Sequence, residues 1–144
     1  MIGQVHVGGG DPELDQRLSD ELDAVNAAAT SGTPAAEELT VRTADDDGLA
    51  GGISGWTWGV AAGIGMLWVR EDRRGDGTGA QLLQAFEEAA RARGVTHVFT
   101  TSFTFQAPGF YEKQGYVELF RWQDLPTVGQ ADVHLRKDLV PTGS

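Results

Sequence analysis

A glycine-rich loop at residues 73–80 constrains the fold of this chain more than any other segment, because it joins two segments of different periodicity. Residues 64–69 before it are apolar almost throughout, which is typical of a central strand covered on both faces. After it, Leu82, Leu83 and Phe86 recur at helical spacing until Gly94 provides a natural stop. The loop is therefore predicted to join a buried strand to an amphipathic helix, as in folds that pack helices on a sheet.

Periodicity along the rest of the chain predicts the element order β-α-β-β-β-α-β-α-β-β. The predicted strands are residues 4–7, 39–43, 49–60, 64–69, 96–103, 116–122 and 133–136, with turns at 45–48 and near 61–63. The first predicted helix begins at Asp11 and fades by residues 30–32, the second follows the glycine loop, and the third is residues 108–114. This order predicts an α/β (α+β) sandwich, with a mixed, mostly antiparallel sheet of about six to seven strands flanked by helices.

The length of 144 residues fits one domain, which we expect to span residues 1–144. The absence of cysteine excludes a disulfide framework, a thiolate zinc site and a cysteine nucleophile. The chain has no apolar run of the ~20 residues that a membrane span needs, and it starts without a charged and apolar leader. We therefore expect a cytoplasmic protein with no membrane partner. Residues 139–144 differ by one residue from a common protease-site remnant and are interpreted as a flexible or vector-derived tail.

The net charge of −10 is unevenly distributed. Residues 1–48 carry 11 acidic and two basic side chains, whereas residues 49–144 carry ten acidic and nine basic ones. The acidic first part is either a solvated surface or the source of a field that attracts a cationic substrate. Negative charge disfavours DNA and RNA as partners because it repels their phosphates, but the nearly neutral second part can hold one local anion site.

The glycine loop has the chemistry of a phosphate site. Its glycines let the backbone approach a ligand closely, the following helix offers unpaired N–H groups, and Arg73 and Arg74 add charged donors. A nucleoside triphosphate is disfavoured because Ala80 and Gln81 stand where Lys and Ser or Thr are needed. A dinucleotide is disfavoured because residues 100–102, about 20 positions further on, include no acid. A plain glycine-rich turn is the structural alternative.

Arg74, Gly77 and Gly79 are spaced as R-x-x-G-x-G, which resembles the coenzyme loop of the GNAT superfamily of N-acetyltransferases. The resemblance implies the GNAT fold and acetyl-CoA as acetyl donor, without a metal. It also implies that the backbone amides of the loop bind the diphosphate of coenzyme A, and that the preceding strand pairs with the pantetheine arm. The cofactor-binding residues predicted in this way are Leu67, Trp68, Val69, Arg73, Arg74, Gly75, Gly77, Thr78, Gly79 and Ala80.

A second segment strengthens the resemblance. Residues 107–116, Ala-Pro-Gly-Phe-Tyr-Glu-Lys-Gln-Gly-Tyr, are similar to an A-x-x-F-Y-x-x-x-G-Y element that follows the loop in the family. There the tyrosine lies near the coenzyme sulfur, which implies that Tyr111 protonates or stabilises the leaving thiolate. Ala107 and Phe110 then join the predicted cofactor-binding residues. Taken alone, the segment favours Tyr111 as an ordinary helix aromatic, and the catalytic interpretation depends on both motifs in this order and spacing.

The acceptor amine must lose a proton before it attacks, because an alkyl ammonium has a pKa near ~10.4. Many GNAT members carry an acid on the central strand, but residues 59–69 contain none, and Thr104 stands where many members have Asn. The candidate bases are Glu21, His134 and a water chain. The alternative interpretations are that Glu21 is a solvated surface residue and that His134 is a structural residue of its strand. Direct transfer requires no cysteine nucleophile, which agrees with the composition.

Trp56 and Trp58 fall on the same face of one predicted strand. They are interpreted either as core residues or, together with Asn26, as the binding site of a cationic or ring-bearing amine. The predicted activity is thus transfer of an acetyl group from acetyl-CoA to a small, cationic amine, and a homodimer is common in the family. The alternatives are acetylation of a protein amine, a non-catalytic acyl-CoA sensor, an interaction domain, and a toxin acting on charged tRNA, which the negative charge disfavours.

Overall fold

A computed structural model describes residues 3–139, which divide between Ala35 and Ala36 into two compact units. A single domain over residues 1–144 stays a prediction. Residues 140–144 of the proposed tail, and the first two residues of the chain, lie outside the described residues. Among residues 3–139, none of the helices combines the length and the apolar character that a membrane crossing requires.

The first unit contains one helix, α1, at Pro12–Ala29. Asp11 caps it, because its side chain accepts a hydrogen bond of 3.0 Å from the amide of Leu14 and Pro12 stands at the first helical position. The helix ends at Thr30, whose amide and hydroxyl both donate to the carbonyl of Asn26. The predicted boundaries of this helix are confirmed.

The strand predicted at residues 4–7 is wrong, since these residues have an irregular backbone. Four residues are a short strand, and a strand gains its hydrogen bonds only by pairing. The three glycines that follow raise the entropy lost on ordering the segment.

The second unit is built on one six-stranded sheet with the order β1-β2-β3-β4-β6-β5. Its strands are β1 Glu37–Asp45, β2 Gly48–Trp58, β3 Ala61–Val69, β4 His97–Phe103, β5 Val117–Gln123 and β6 Ala131–Asp138. Its helices are α2 Thr78–Ala92 and α3 Pro108–Lys113, with a short 3₁₀ turn at Glu71–Arg73. β3 and β4 pair in parallel and all other neighbours are antiparallel, so the predicted mixed, mostly antiparallel α/β sandwich is confirmed.

One predicted turn is confirmed and the other is wrong. Gly48, with φ +106°, closes the turn after β1 as expected. The second turn lies at residues 59–60 rather than near 61–63, because Gly59 adopts φ +58° and Ala61 already pairs with Trp58. The glycine that reverses the chain is therefore the one that takes the left-handed conformation.

The core of the second unit lies between the sheet and α2. Leu82, Leu83, Phe86 and Ala90 are buried on one face of the helix, as its periodicity predicts. A fully buried side chain of the larger kind contributes about 1.5–3 kcal/mol, so this face holds the helix against the sheet. Gly94, with φ +93°, ends α2 and returns the chain to β4.

The second half of β3 departs from the prediction that both faces of this strand are covered. Its pairing with β4 stops at Ile64 and Thr100, and the ladder with β2 contains a bulge at the adjacent position. Met66, beyond that point, is 70% exposed. The apolar run at residues 64–69 therefore predicted a central strand correctly, but it did not predict the cavity that opens where β3 and β4 separate.

Candidate active site between β3 and β4

A cavity of about 900 Å³ lies where β3 and β4 separate. This volume falls within the range of small-molecule sites, roughly 300–1,000 Å³. Its residues come from the second half of β3, the glycine loop, the end of β4 and the segment that includes α3. They are Gly65, Met66, Leu67, Trp68, Val69, Arg73, Arg74, Gly75, Gly77, Gly79, Ala80, Thr100, Thr101, Ser102, Phe105, Gln106, Ala107, Phe110, Tyr111, Lys113 and Gln114.

The charge of this cavity is opposite to that of the chain. Arg73, Arg74 and Lys113 line it, and no carboxylate is among the residues of its wall, although the net charge of the protein is −10. A cavity with such a wall attracts an anionic ligand, because its cationic side chains face no carboxylate within the cavity. The local anion site expected in the second part of the sequence thus has a matching cavity.

The glycine loop forms one end of the cavity. Gly77 is the N-cap of α2 and has φ +91°, a conformation in which any other residue is strained. A Cβ on Gly79 would lie 3.2 Å from the ring of Phe110, so this glycine permits the loop and α3 to approach each other. The amides of Gly79 and Ala80, in the first turn of the fifteen-residue helix α2, are consequently held beside the cavity, where a helix N-terminus favours an anion.

Asp76 and Thr78 stabilise the loop from within. The amide of Thr78 donates a 3.0 Å hydrogen bond to the Asp76 carboxylate, and its hydroxyl donates to the same oxygen. These two bonds lower the pKa of Asp76, with a smaller contribution from Arg73. Thr78 is buried and does not line the cavity. Because its amide already donates to Asp76, this amide is bound within the loop rather than available to a ligand.

The two adjacent arginines have different surroundings. The Arg73 guanidinium is bound by Asp76 and Asp45, each at 2.9 Å, and these carboxylates raise its pKa. Arg74 instead donates through Nε to the backbone carbonyl of Val69 at 2.9 Å. Within residues 3–139 no carboxylate forms an ion pair with Arg74, which leaves its terminal nitrogens for a ligand. Arg74 is therefore the stronger candidate for a diphosphate contact.

Tyr111 lines the cavity from α3 and is only 6% exposed. Its ring packs edge to face against Phe110 and Tyr116, with centroid distances of 5.3 and 5.4 Å. Burial raises the pKa of Tyr111 above the ordinary 10.0, and the Thr100 hydroxyl opposes this only in part. The phenol is thus protonated at neutral pH and can donate a proton to a group in the cavity.

A buried carboxylate that the sequence did not single out lies behind Tyr111. Glu87 of α2 accepts a 2.8 Å hydrogen bond from the Tyr116 hydroxyl and a 2.9 Å bond from the ammonium of Lys137. Burial, followed by the charge of Glu87, strongly raises the pKa of Tyr116, so its hydroxyl remains a donor. This network ties α2, β6 and the segment after α3 together, and Tyr116 in turn supports the ring of Tyr111.

The remaining predicted residues of the second unit lie outside the cavity. Trp56 and Trp58 belong to β2, and the indole of Trp56 packs edge to face against Phe99 at 5.4 Å. Thr104 is bonded to Gln130 and to the amide of Ala131. His134 of β6 is paired across the ladder with Thr101, which does line the cavity.

Glu21 and Asn26 both lie on α1, in the first unit. Glu21 forms an i,i+4 ion pair of 2.8 Å with Arg17 on the surface of α1. The Asn26 carbonyl accepts the hydrogen bonds that end the helix. Their roles as base and acceptor ligand stay predictions. In the part of the chain from residue 3 to residue 139, no group of three His, Asp or Glu side chains is arranged to hold a metal ion.

Comparison with known proteins agrees with this fold. Residues 36–118 match the family profile described as an Acetyltransferase (GNAT) domain. Acetyltransferase Atu2258 of Agrobacterium fabrum is 30% identical over 110 residues, which cover 76% of this chain and 80% of that protein. Blasticidin-S acetyltransferase of Streptomyces morookaense is 39% identical over 72 residues, 47% of this chain and only 51% of that relative's length. The chain belongs to the GNAT family of acetyltransferases, and the family inferred from the two motifs is confirmed.

Solved structures show the same architecture. An acetyltransferase from Bacillus cereus superposes with a TM-score of 0.80 at 30% identity, over 94% of this chain and 98% of that one. An aminoglycoside 6'-N-acetyltransferase complexed with coenzyme A shares the fold at a TM-score of 0.66 and 20% identity, over 93% and 95% of the two chains. The GNAT fold predicted from the element order and the loop is confirmed.

Proposed function

We propose that this protein transfers an acetyl group from acetyl-CoA directly to the nitrogen of a small, cationic amine. The observation that carries the proposal is the cavity between β3 and β4. Cationic side chains and helix amides lie at its loop end, and the buried phenol of Tyr111 lies in the same wall. An anionic cofactor suits a cavity with these cationic side chains and this volume.

Each part of the wall has a separate task in this proposal. The amides at the start of α2 and the guanidinium of Arg74 bind the diphosphate. Leu67, Trp68 and Val69 flank the neutral arm on β3. Acetyl-CoA, when bound, supplies a thioester carbonyl that an amine can attack, with the coenzyme thiolate as leaving group. Tyr111 holds the proton that this thiolate requires, because burial keeps the phenol protonated.

The class of acceptor is proposed from charge and from one relative. The negative charge of the chain attracts cations, and cationic groups are common in amine acceptors. The relative named for blasticidin S makes that compound a reasonable first acceptor to test. A cytoplasmic location, a homodimer and independence from nucleic acid, membranes and metal ions stay predictions.

Cofactor binding is tested first by thermal denaturation with coenzyme A and acetyl-CoA. A ligand at 100 times its Kd adds about 2.7 kcal/mol of stability. For a domain of this size that raises Tm by roughly 5–10 °C. The control ligand is pantetheine, which lacks the diphosphate and should produce a smaller shift. Absence of any shift with coenzyme A at millimolar concentration would refute the proposal.

Turnover is tested by release of free coenzyme A thiol from acetyl-CoA in the presence of an amine. The chain has no cysteine, so the protein gives no thiol background. The acceptor panel is blasticidin S, kanamycin, spermidine, tryptamine, n-butylamine and glutamate. Binding without turnover for every member would favour a non-catalytic acyl-CoA sensor, and turnover only with a peptide lysine or N-terminus would favour protein acetylation. A strict preference for glutamate would contradict the argument from charge.

A further inference from the structure

An aromatic and acidic cluster lies on the face of the sheet opposite to α2. We call it the β6 cluster and define it as Phe99, Phe120, Trp122, Asp132 and His134. Phe120 pairs across the ladder with His134, Trp122 pairs with Asp132, and both pairs therefore share one face. Buried Val133 and Leu135 alternate with them on β6 and point to the core with α2.

His134 and Asp132 form a pair within this cluster. Nε2 of His134 lies 3.2 Å from Oδ2 of Asp132, whose side chain is 16% exposed against 43% for the histidine. A carboxylate oxygen accepts hydrogen bonds, so the imidazole donates from Nε2 to Oδ2 and its other nitrogen, Nδ1, makes no contact with Asp132. The ring is fixed further by Phe120, which meets it edge to face at 5.6 Å. A histidine oriented by a carboxylate is an arrangement suited to general-base catalysis.

The cluster is contiguous with the cavity through Thr101. This residue lines the cavity and is the direct cross-strand partner of His134. Directly opposed side chains in an antiparallel pair have Cβ atoms about 4.5–5.5 Å apart, so the imidazole lies one side chain from the cavity wall. The histidine is thus close to the part of the cavity wall that Thr101 forms, on the side of the sheet away from α2.

The rings of the cluster are accessible in a way that ordinary core aromatics are not. Phe99, Phe120 and Trp122 are each about half exposed, and Phe120 meets Trp122 edge to face at 5.9 Å. Exposed rings beside a carboxylate form a surface on which a cation can lie over a ring face. The chemistry of the surface therefore fits a ligand that combines an ammonium group with a ring.

We propose that the β6 cluster binds the acceptor, a cationic amine carrying a ring, and that His134 is its general base with Asp132 as the positioning residue. The inference rests on the acetyl transfer proposed above and adds the acceptor class and the base. Asp132 neutralises the incoming ammonium ion and holds the imidazole. His134 Nδ1 accepts one proton from the ammonium nitrogen, directly or through water, and the freed lone pair forms the new C–N bond. The C–S bond breaks and the thiolate takes the proton held by Tyr111. The second N–H proton reaches the Tyr111 phenolate through solvent and restores the phenol, and His134 releases its proton to solvent.

The other charged groups around His134 are already paired. On β6, Arg136 is bonded to Asp138 at 2.9 Å. On β5, Arg121 is bonded to Glu118 at 2.9 Å, on the far side of that strand from Phe120. On β4, His97 lies at the other end of the strand and contacts Thr96. Asp132 is therefore the charge that faces the imidazole most directly.

The acceptor surface is tested by steady-state kinetics with tryptamine and n-butylamine. Wild type should have a kcat/KM at least tenfold higher for tryptamine, and Trp122→Ala should remove most of that preference by raising the KM for tryptamine. Trp122→Phe should restore it in part, since it keeps a ring. The matched control is Leu119→Ala, an exposed residue of the same strand that has no cross-strand partner, and its kinetics should equal those of wild type.

The base is tested by the pH dependence of kcat. His134→Gln should lower kcat by about 10²–10⁴-fold and abolish the acidic limb of the profile, with the KM for acetyl-CoA unchanged. Asp132→Asn should lower kcat by a smaller factor than His134→Gln, because the imidazole remains present but loses the carboxylate that orients it. A purely structural role would change stability without moving the limb. Far-UV circular dichroism and the Tm shift with coenzyme A confirm that each variant is folded.

The outcomes separate this inference from the function on which it rests. If coenzyme A fails to stabilise the protein, the proposed function itself is refuted. If transfer occurs but Trp122→Ala and His134→Gln behave as wild type, or if spermidine is acetylated and tryptamine is not, only the β6 cluster proposal is overturned. A dimer in sedimentation that Trp122→Ala dissociates, with the KM for tryptamine unchanged, assigns the cluster to a second copy of the chain and also overturns it.

Discussion

Replacement of Arg74 by alanine, compared with the same change at Arg73, is the sharpest test of how this site holds a diphosphate. The two residues are adjacent and both line the cavity, but only Arg73 is bound by two carboxylates, Asp45 and Asp76. A charged hydrogen bond contributes about 1.5–3 kcal/mol, so Arg74→Ala should raise the Kd for coenzyme A by about 10–150-fold. Arg73→Ala should raise it by about fivefold or less, because the charge it removes is already offset.

Isothermal titration with coenzyme A measures both values, and titration with pantetheine supplies the control ligand. Pantetheine carries no diphosphate, so its Kd should be the same for wild type and Arg74→Ala. Urea unfolding of the free proteins separates binding from folding. It should show the larger loss of stability for Arg73→Ala, since the bond of Arg73 to Asp45 joins the loop to β1 and its bond to Asp76 stabilises the loop. The reasoning from the carboxylates would be wrong if Arg73→Ala lowered the affinity for coenzyme A more than Arg74→Ala did. It would also be wrong if Arg74→Ala lowered the affinity for pantetheine as much as the affinity for coenzyme A.

Three further predictions concern the loop, the phenol and the β1 turn. Tyr111→Phe keeps the ring but removes the proton donor, so kcat should fall by about 10²–10⁴-fold with the KM for acetyl-CoA within about twofold of wild type. Gly77→Ala places a Cβ at φ +91° and should destabilise the protein by about 1–2 kcal/mol in urea unfolding, whereas Gly109→Ala, in α3 with no atom within 4 Å of the added Cβ, should not. Arg70 lowers the pKa of Asp45 to about 2, so ionised Asp45 stabilises the folded state above about pH 4, and this contribution disappears as the pH falls through 2. The stability difference between wild type and Asp45→Asn should accordingly vanish in acid, and a constant difference from pH 7 to pH 2 would contradict it.

Much of the fold could be predicted from the sequence because its signals are local. Asp11 and Pro12 define the start of α1 through one capping bond, and Gly94 ends α2 through its left-handed φ. The glycine loop was recognised for the same reason, since its residues and the helix after it are consecutive. The strand at residues 4–7 was predicted wrongly because a strand depends on a partner that its own residues do not reveal.

The cavity wall could be predicted only in part. Thr100, Thr101 and Ser102 line it because β4 leaves β3 after four paired positions, a property of long-range pairing rather than of either strand. Glu87 is different, because it lies on the apolar stripe of α2 between Leu83 and Ala90, and a carboxylate at such a position signals a buried partner. That partner, Lys137, is 50 residues away, so the sequence could raise the question without answering it.

The separation of β3 from β4 gives the sheet an edge in its interior. β1 to β3 and β4 to β6 form two halves that share only four paired positions, Ala61 to Ile64 with His97 to Thr100. An exposed strand edge offers unpaired amides and carbonyls to any extended chain that carries its own amides. A ligand that carries amides along an extended arm can therefore take the place that a further strand would occupy between the two halves.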